Sequence, residues 1–600
     1  MVAVSPAQDG SQVILDELHY TVKSLQKSRL ITTRKIIIYS PKGLEHAEIV
    51  ISESRFKRVR SIKARVLDQN GKQIRKVRKS EIREIDASLP TDLYTGLKYY
   101  VFDLAQATFP YIIEYRVSVD INSLFFWPNW YPQWDIPVQT SRYRLSCPEE
   151  LGFKTHAIGA IPEPVLSDKG KNLTWQLHNV PPVLEEYRMA PEHVIQYALF
   201  FASDSFVLDG IPGSFRKWQH LGNWYRQLAQ DLYALDPASL TDLPRLDAAS
   251  TRESIQQLYT FLQDHTRYVA IALGTHGWKP SPAQLVYENR YGDCKDLSTL
   301  FIALLAQHGI IGYPALLKTR NAGLVLDEFP SNQFNHVITY IPLPSETLWV
   351  DCTSSSATAF DLPSMDEGCN ALVIRDDQTG LLSTPLSRPD DNQLLFSAEA
   401  TILTEGTAQL EGTMTATGNI AQDMRNSLRA QDPAGQRNLL IQWLSDFSPS
   451  LSLTRMNIPH LNSNIYPLEI RFTCSAENYA DVSRMRLFLN PSFYHRVTFE
   501  GETPDQRHTA LFRPYALTLL DSISYTIPDG LTPEAIPAAA QYQYPFAQYD
   551  YRMKLSGNTV KFTRKYQIQE RRIGLDQYAD YHRFITQVEQ KDRERLVFVR

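Results

Sequence analysis

The sequence predicts a multidomain α+β protein with a β-sandwich at each end and a mixed α+β domain between them. A chain of 600 residues corresponds to about three or four domains of ordinary size. Strand-like alternation fills the first third, helical spacing begins near residue 215, and alternation returns near residue 394. The 31 Tyr and 36 Pro, against 8 Met, favour β-structure with proline-containing loops. We therefore predict domains at residues 12–205, 206–390 and 391–600.

The N-terminal domain is predicted from short alternating runs that are separated by turns. Residues 34–39, 62–67 and 111–119 alternate between apolar and polar side chains, and residues 68–71 have the composition of a turn. An aromatic cluster follows these strands, and such clusters more often fill a core or a domain interface than stack on sugars or bases. Its members are Phe125, Phe126, Trp127, Trp130, Tyr131 and Trp134.

Composition argues against several classes of partner. The net charge of −5 is too small to attract nucleic acid to the whole surface. The basic run at residues 55–65 alternates with apolar side chains, which is typical of a solvated strand face. No apolar run reaches the roughly 18 residues of a membrane span. We therefore expect no nucleic-acid partner and no transmembrane segment, and the oligomeric state stays open.

The five cysteines do not have the spacing of a zinc site or a disulfide scaffold. We therefore expect neither a structural zinc nor a disulfide scaffold. The first residues lack the basic and apolar stretches of a secretion signal. The expected compartment is accordingly the cytoplasm, or the periplasm or exterior if a signal has been removed.

The sharpest local signal is the start of a predicted helix at Cys294. Asp293 is a suitable N-cap residue and Asp296 places a carboxylate in the first turn. Apolar residues then recur at helical spacing, which predicts an amphipathic helix with one buried face; they are Leu297, Leu300, Phe301, Leu304 and Leu305. The amides and the dipole at a helix start favour a thiolate over a thiol. Cys294 is therefore the candidate nucleophile.

Two strand-like runs downstream supply the partners that a nucleophilic thiol needs. His336 lies in the run at residues 334–341 and Asp351 in the run at residues 347–353, with a proline-containing turn between them. If Tyr340 pairs with Thr347, His336 and Asp351 face each other at about 5 Å between Cβ atoms. Acyl transfer by a thiolate requires an imidazole and a group that orients it. The register is an assumption, and a slip of one residue would separate the two side chains.

These motifs resemble those of the transglutaminase-like fold, a rearranged relative of papain-type cysteine proteases. The resemblance covers residues 215–383 and rests on Gly292-Asp-Cys-Lys-Asp296, Asn335-His336 and the run that ends at Thr353. It implies a central papain-like α+β core, a catalytic triad of Cys294, His336 and Asp351, and no metal or organic cofactor.

A wider resemblance extends over nearly the whole chain. Arg267-Tyr-Val269, Gly277-Trp-Lys-Pro280 and the ending at residues 578–597 are similar to bacterial proteins, usually exported, that join a DUF3857-type β-domain to a transglutaminase-like core. Trp278, Tyr291 and Asn335 are candidates for binding substrate or a developing oxyanion, and ordinary packing is the competing interpretation of Trp278 and Tyr291.

Three functions stay open at this stage. A thioester acyl-enzyme that reacts with an amine gives transglutamination, whereas one that reacts with water gives a cysteine protease or amidase. The amine acceptor is then a second partner beside the peptide or protein substrate. The non-enzymatic alternative is a scaffold that binds protein or glycan through its β-domains and retains an inactive transglutaminase-like fold.

Overall fold

A computed structural model describes residues 10–86, 98–167, 172–183, 185–243, 246, 249–269, 277–376, 378–445, 450–494 and 496–600. The chain divides into two compact units. The first unit spans Met1–Glu185, Val194–Thr353 and Cys369–Ser383, and the second spans Glu186–His193, Ser354–Gly368 and Thr384–Arg600. Most of the first two expected domains, residues 12–205 and 206–390, thus lies in one compact unit. The division into three domains stays a prediction.

The first part of the first unit is built of strands. Those of residues 10–214 are β1 (Ser11–Ser24), β2 (Lys27–Ile38), β3 (Glu48–Glu53), β4 (Lys57–Asp68), β5 (Gln73–Lys76), β6 (Arg83–Asp86), β7 (Lys98–Asp103), β8 (Tyr111–Ile121), β9 (Val138–Ser146), β10 (Phe153–Ile158), β11 (Val165–Ser167), β12 (Asn172–Val180), β13 (Ala198–Ser203), β14 (Ser205–Leu208) and β15 (Ile211–Ser214). An eight-stranded sheet has the order β11-β12-β9-β1-β2-β8-β4-β5, and a three-stranded sheet has the order β3-β7-β6. Their apolar faces share one core that includes Val13, Ile36, Ile49 and Phe102.

The remainder of the first unit combines helices with a smaller sheet. Its elements are α1 (Trp218–Leu228), α2 (Thr251–His265), β16 (Arg267–Tyr268), α3 (Ala283–Asn289), β17 (Tyr291–Gly292), α4 (Cys294–Gln307), β18 (Tyr313–Leu317), β19 (His336–Pro342), β20 (Thr347–Val350), β21 (Asn370–Val373) and β22 (Gly380–Ser383). The five-stranded sheet has the order β20-β19-β18-β21-β22. Helix α4 packs against β18 and β19, which brings its first turn to the start of β19.

The second unit is again dominated by strands. Its elements are β23 (Gln393–Ile402), β24 (Ala408–Ala416), α5 (Gly418–Arg429), α6 (Pro433–Ser445), β25 (Leu451–Asn457), β26 (Leu468–Ala476), β27 (Asp481–Val482), β28 (Arg486–Leu489), β29 (Leu511–Phe512), β30 (Leu517–Thr526), β31 (Thr532–Ala535), β32 (Ala540–Tyr544), β33 (Ala547–Ser556), β34 (Thr559–Ile568), β35 (Arg572–Ile573), α7 (Leu575–Asp592) and β36 (Leu596–Val599). Its large sheet has the order β25-β26-β24-β23-β30-β34-β33-β32. A buried ion pair of 2.8 Å joins Arg564 of β34 to Asp592 of α7.

The predicted fold class, a multidomain α+β protein with a central transglutaminase-like core, is wrong. Strands make up 41% of the residues that the structure describes and helices 20%, and the strands are divided among several sheets. Nor are the ends built from two sheets of similar size, because each has one eight-stranded sheet beside smaller ones. Periodicity identifies strands, but partners that lie far apart in sequence decide which sheet they join. The parallel pairing of β1 with β9 is an example.

The aromatic cluster after β8 fills a core within the first unit. Phe125, Trp127 and Trp130 are at most 6% exposed. The ring of Phe125 lies 5.0 Å from that of Trp278 and 5.1 Å from that of Trp224. The packing interpretation is therefore confirmed for these residues, whereas Tyr131 is 45% exposed.

Among the helices of the described residues, none is long and apolar enough to span a bilayer.

Candidate functional site

The site begins at the first turn of α4, where the cap expected from the sequence forms. The Asp293 carboxylate accepts hydrogen bonds from the amides of Lys295 and Asp296, at 3.1 and 3.2 Å. The Asp296 carboxylate in turn accepts one from the Asp293 amide at 3.2 Å. This reciprocal capping box fixes the helix start. Cys294 is the first helical residue and is 7% exposed.

Helix α4 is buried on all sides from Cys294 to Leu305, so the prediction of an amphipathic helix is wrong. Every residue from Cys294 to Leu305 is buried, including the polar ones. Each hydroxyl on this helix has an internal acceptor: Ser298 donates to the Val337 carbonyl at 3.2 Å, and Thr299 donates to the Lys295 carbonyl at 2.8 Å. Polar residues in the first turns predict a solvated face, but here they bond inside the protein.

Strands β19 and β20 form the expected antiparallel hairpin in a register that differs by two residues. Tyr340 pairs with Trp349 instead of Thr347, and Pro342 pairs with Thr347. The turn closes through the amide of Leu343 and the carbonyl of Glu346, at 2.8 Å. Side chains alternate with a period of two, so a shift of two residues leaves every side chain on its predicted face.

His336 and Asp351 therefore meet diagonally across the sheet instead of directly. His336 Nε2 lies 3.3 Å from Asp351 Oδ1, and the two side chains are 11% and 3% exposed. Nε2 has no well-aligned hydrogen-bond partner among the described residues, so the contact is primarily ionic. Diagonal neighbours are within reach of long side chains.

The two side chains support each other's charged forms. Burial opposes a charge on His336, but the Asp351 carboxylate outweighs it, and the pKa of His336 is raised well above its usual range. The Cys294 sulfur acts in the same direction. Burial also opposes the charge on Asp351, yet His336 and the hydrogen bonds from Thr353 hold the pKa of Asp351 below its usual range. The structure thus favours an imidazolium beside a carboxylate.

Cys294 and His336 both line a narrow cavity of about 10 Å³. That volume corresponds to roughly one water molecule. Tyr225, Trp278, Cys294, Lys295, Phe334, Asn335, His336 and Val337 line it.

The three candidates for substrate or oxyanion binding differ in position. Trp278 and Asn335 line this cavity, whereas Tyr291 is not among its described lining residues. The Asn335 carboxamide is held by Thr319, because its oxygen accepts from the Thr319 amide and its nitrogen donates to the Thr319 hydroxyl, both at 2.9 Å. Its role as a ligand for substrate stays a prediction.

Lys295 is a site residue that sequence reasoning missed. Its ammonium forms a buried ion pair with Asp293 and is 2% exposed. Burial opposes the charge on Lys295, but Asp293 and Asp296 outweigh it, and the pKa of Lys295 is raised. One feature of the sequence could have indicated Lys295: it is a charged residue in the first turn of an otherwise apolar helix.

Thr353 and Tyr259 hold Asp351 in place and were also missed. The Thr353 amide and hydroxyl donate to Asp351 Oδ1 at 2.8 and 2.7 Å. The Tyr259 hydroxyl donates to the Asp351 carbonyl at 2.7 Å. Tyr259 lies in α2, almost a hundred residues earlier, so sequence spacing could not place it there.

Two family models match parts of the chain. Residues 27–184 match a domain of unknown function with a solved structure, DUF3857, and residues 485–598 match a second such domain, DUF3858. The resemblance of the N-terminal region to DUF3857 is therefore confirmed. Neither range reaches residues 206–390, which contain the candidate site.

The fold is shared with a known structure. A "putative protease" from Parabacteroides distasonis is similar over 98% of this chain and 99% of its own, with a TM-score of 0.66 and 12% identity. At that identity the likeness shows the fold alone. An M1 zinc metallopeptidase from Deinococcus radiodurans matches 34% of this chain and 46% of its own, at 13% identity and with a TM-score of 0.18. Curated proteins give no match.

Proposed function

We propose that this protein is a thiol-dependent hydrolase that cleaves amide bonds in a peptide or protein. One observation carries the proposal: Cys294, at a helix start, lines the same cavity as His336, whose Nε2 lies 3.3 Å from Asp351 Oδ1. A nucleophile, a proton carrier and an orienting carboxylate are the groups that acyl transfer by a thiol requires. We accordingly assign the role of nucleophile to Cys294, that of proton carrier to His336 and that of orienting carboxylate to Asp351.

In the acylation step, the Cys294 thiolate attacks the amide carbonyl carbon. A carbon–sulfur bond forms, and the carbon–nitrogen bond breaks as the His336 imidazolium gives its proton to the leaving amine. Asp351 holds the ring in orientation and stabilises its charge. The Cys294 amide, at the helix start, is one oxyanion donor, and Trp278 is the candidate for the second.

In the deacylation step, neutral His336 takes a proton from water, which attacks the thioester carbonyl. The carbon–sulfur bond breaks, the carboxylic acid leaves, and the thiol is restored. A primary amine in place of water would give a new amide, so the same centre also allows acyl transfer. Hydrolysis is preferred because the protein that shares the fold is named a "putative protease".

The test is to incubate the full chain with a mixture of denatured-protein peptides and to identify new N-termini by mass spectrometry. We expect new termini with the parent protein and none with Cys294→Ala. Cys352→Ala is the matched control, since this thiol is also buried and lies next to Asp351, and it should retain cleavage.

A fluorescent primary amine in the same mixture separates the alternatives. Its incorporation into peptides without new termini would replace hydrolysis by transfer. If peptides bind but neither reaction occurs with any of the three proteins, the enzymatic proposal fails and a binding scaffold takes its place.

A further inference from the structure

A second group of ionisable side chains lies in the N-terminal part of the first unit. His46 is the last residue but one of a 3-10 helical turn, Pro41–Ala47, that precedes β3. Asp135 belongs to the segment that leads into β9. His46 Nε2 lies 3.7 Å from Glu45 Oε1 and 3.9 Å from Asp135 Oδ2. The three ligand atoms all lie within 4.8 Å of one another.

His46 differs from an ordinary surface histidine in two ways. Its side chain is only 10% exposed, whereas Glu45 and Asp135 are 72% and 64% exposed. Its Nε2 is buried and has no hydrogen-bond partner among the described residues. A buried polar nitrogen without a partner is unfavourable, so a buried Nε2 atom that lies near two carboxylates and bonds to neither requires an explanation.

We propose that Glu45, His46 and Asp135 form a binding site for a divalent transition-metal cation of the zinc type. One imidazole nitrogen and two carboxylate oxygens are common zinc ligands, at about 2.0–2.2 Å from the metal. Ligand atoms around such an ion stand roughly 3.3–3.6 Å apart. Burial already holds His46 in place. Rotation of the two exposed carboxylate side chains can shorten the distances between the ligand atoms by the few tenths of an ångström to about 1 Å that a bound ion requires.

The donor set also distinguishes this cation from the harder ones. Calcium and magnesium prefer sites made entirely of oxygen, whereas imidazole favours zinc and its neighbours in the transition series. Three protein ligands leave further positions to water. The contacts of 3.7 and 3.9 Å are too long for a hydrogen bond between His46 Nε2 and either carboxylate.

Binding would tie together two segments that are distant in sequence. The turn at Pro41–Ala47 joins β2 to β3, and Asp135 follows the aromatic segment whose Phe125 packs against Trp278. A metal at this position would therefore link the segment that contains Asp135 to the turn at Pro41–Ala47. Its effect is structural, and it does not depend on the hydrolytic function proposed for Cys294.

The experiment uses the full chain with Cys294→Ala, because the thiol beside His336 would itself bind zinc. The protein is stripped with a chelator, dialysed and titrated with ZnCl₂ by calorimetry, and Co²⁺ absorption reports the ligands. We expect one equivalent of Zn²⁺ and a Co²⁺ spectrum without the charge-transfer band of a thiolate. His46→Gln, Glu45→Gln and Asp135→Asn should each weaken binding by at least the roughly 10- to 100-fold typical of an outer-shell partner.

His178→Gln is the matched control, since His178 is exposed in the same region and hydrogen-bonds Thr140. It should bind zinc as the background protein does. Glu45 and Asp135 are exposed, so their variants can be compared even if His46→Gln is destabilised; a melt without metal checks each fold. Equal affinity in all four variants, a stronger response to Ca²⁺ than to Zn²⁺, or no binding in the background protein would overturn the proposal.

Discussion

At the scale of single residues, Cys294 is distinguished from the other cysteines by its neighbours. It lies beside an imidazole whose pKa is raised, whereas burial raises the pKa of Cys147 to about 11 and that of Cys474 to about 12. A thiolate reacts with alkylating agents and a thiol does not. We therefore expect iodoacetamide to modify Cys294 first at neutral pH, as mapped by mass spectrometry. Faster alkylation of another cysteine in the folded protein would contradict the assignment.

His336 should control the pH dependence of that labelling. The raised pKa of His336 favours an imidazolium beside the sulfur, and that positive charge should favour labelling of Cys294 at neutral pH. His336→Ala removes this partner, and we expect labelling to slow on the order of 10-fold at pH 7 and to fall steeply with acidification. A pH-rate profile of the two proteins is the measurement. Superimposable profiles would place His336 outside the site.

Asp351→Asn tests the orienting carboxylate. An amide need not hold the ring tautomer that a carboxylate holds, so we expect turnover of a peptide substrate to fall by roughly 10²- to 10⁴-fold. Cys352→Ala is the control for damage to the strand end, and it should retain both turnover and melting temperature. Normal turnover by a folded Asp351→Asn protein would remove Asp351 from the mechanism.

Asp351→Asn should also change how the stability of the protein depends on pH. Stability from the raised pKa of His336 is present below the unfolded value of about 6.5 and is lost as pH rises through the folded value. Stability from the lowered pKa of Asp351 is present above about 3.9 and is lost as pH falls through the folded value. The stability lost in Asp351→Asn should therefore be greatest between these limits, as measured by denaturant unfolding across pH. A difference that is independent of pH would mean that the pair is not charged.

At the scale of elements, the close contact between β17 and α4 sets the position of the nucleophile. A Cβ atom at Gly292 would lie 2.6 Å from Asp296 Cβ, so the first turn cannot accept one without shifting. We expect Gly292→Ala to destabilise the protein by about 1–3 kcal/mol and to slow iodoacetamide labelling of Cys294. Denaturant unfolding and mass mapping measure the two effects.

Gly380→Ala is the matched control for this element. Its added Cβ would find its nearest neighbour at 4.0 Å, so the free energy of unfolding should change by less than about 0.5 kcal/mol. If Gly292→Ala behaves like this control, the helix start does not depend on the close contact.

At the scale of the whole molecule, the aromatic core of the first unit supports the wall of the cavity. Phe125 packs against Trp278, and Trp278 lines the cavity beside Cys294. We expect Phe125→Ala to lower the free energy of unfolding by about 3–5 kcal/mol and to reduce turnover, although Phe125 lies more than 150 residues before Cys294. Leu166→Ala, at a residue 65% exposed, should change neither quantity. Full turnover by a destabilised Phe125→Ala protein would show that the packing of this aromatic core does not affect the site.

Local features of the site follow from the sequence. The capping box of Asp293 and Asp296 involves residues within one helical turn, so residue type and spacing alone predict it. The hairpin places His336 and Asp351 on one face even though its register differs by two residues, because a period of two preserves the face. The helix position of Cys294 was predicted for the same local reason.

What only the tertiary structure decided involves partners that are distant in sequence. Burial of α4 depends on helices and strands outside its own segment, and the pairing of β1 with β9 joins segments more than a hundred residues apart. The predicted fold class failed because such pairings decide how the strands are divided among sheets. Tyr259 behind Asp351 and Asp135 beside His46 belong to the same group. Side-chain period and capping act within a few residues, whereas burial and ion pairing depend on which surfaces meet in the folded chain.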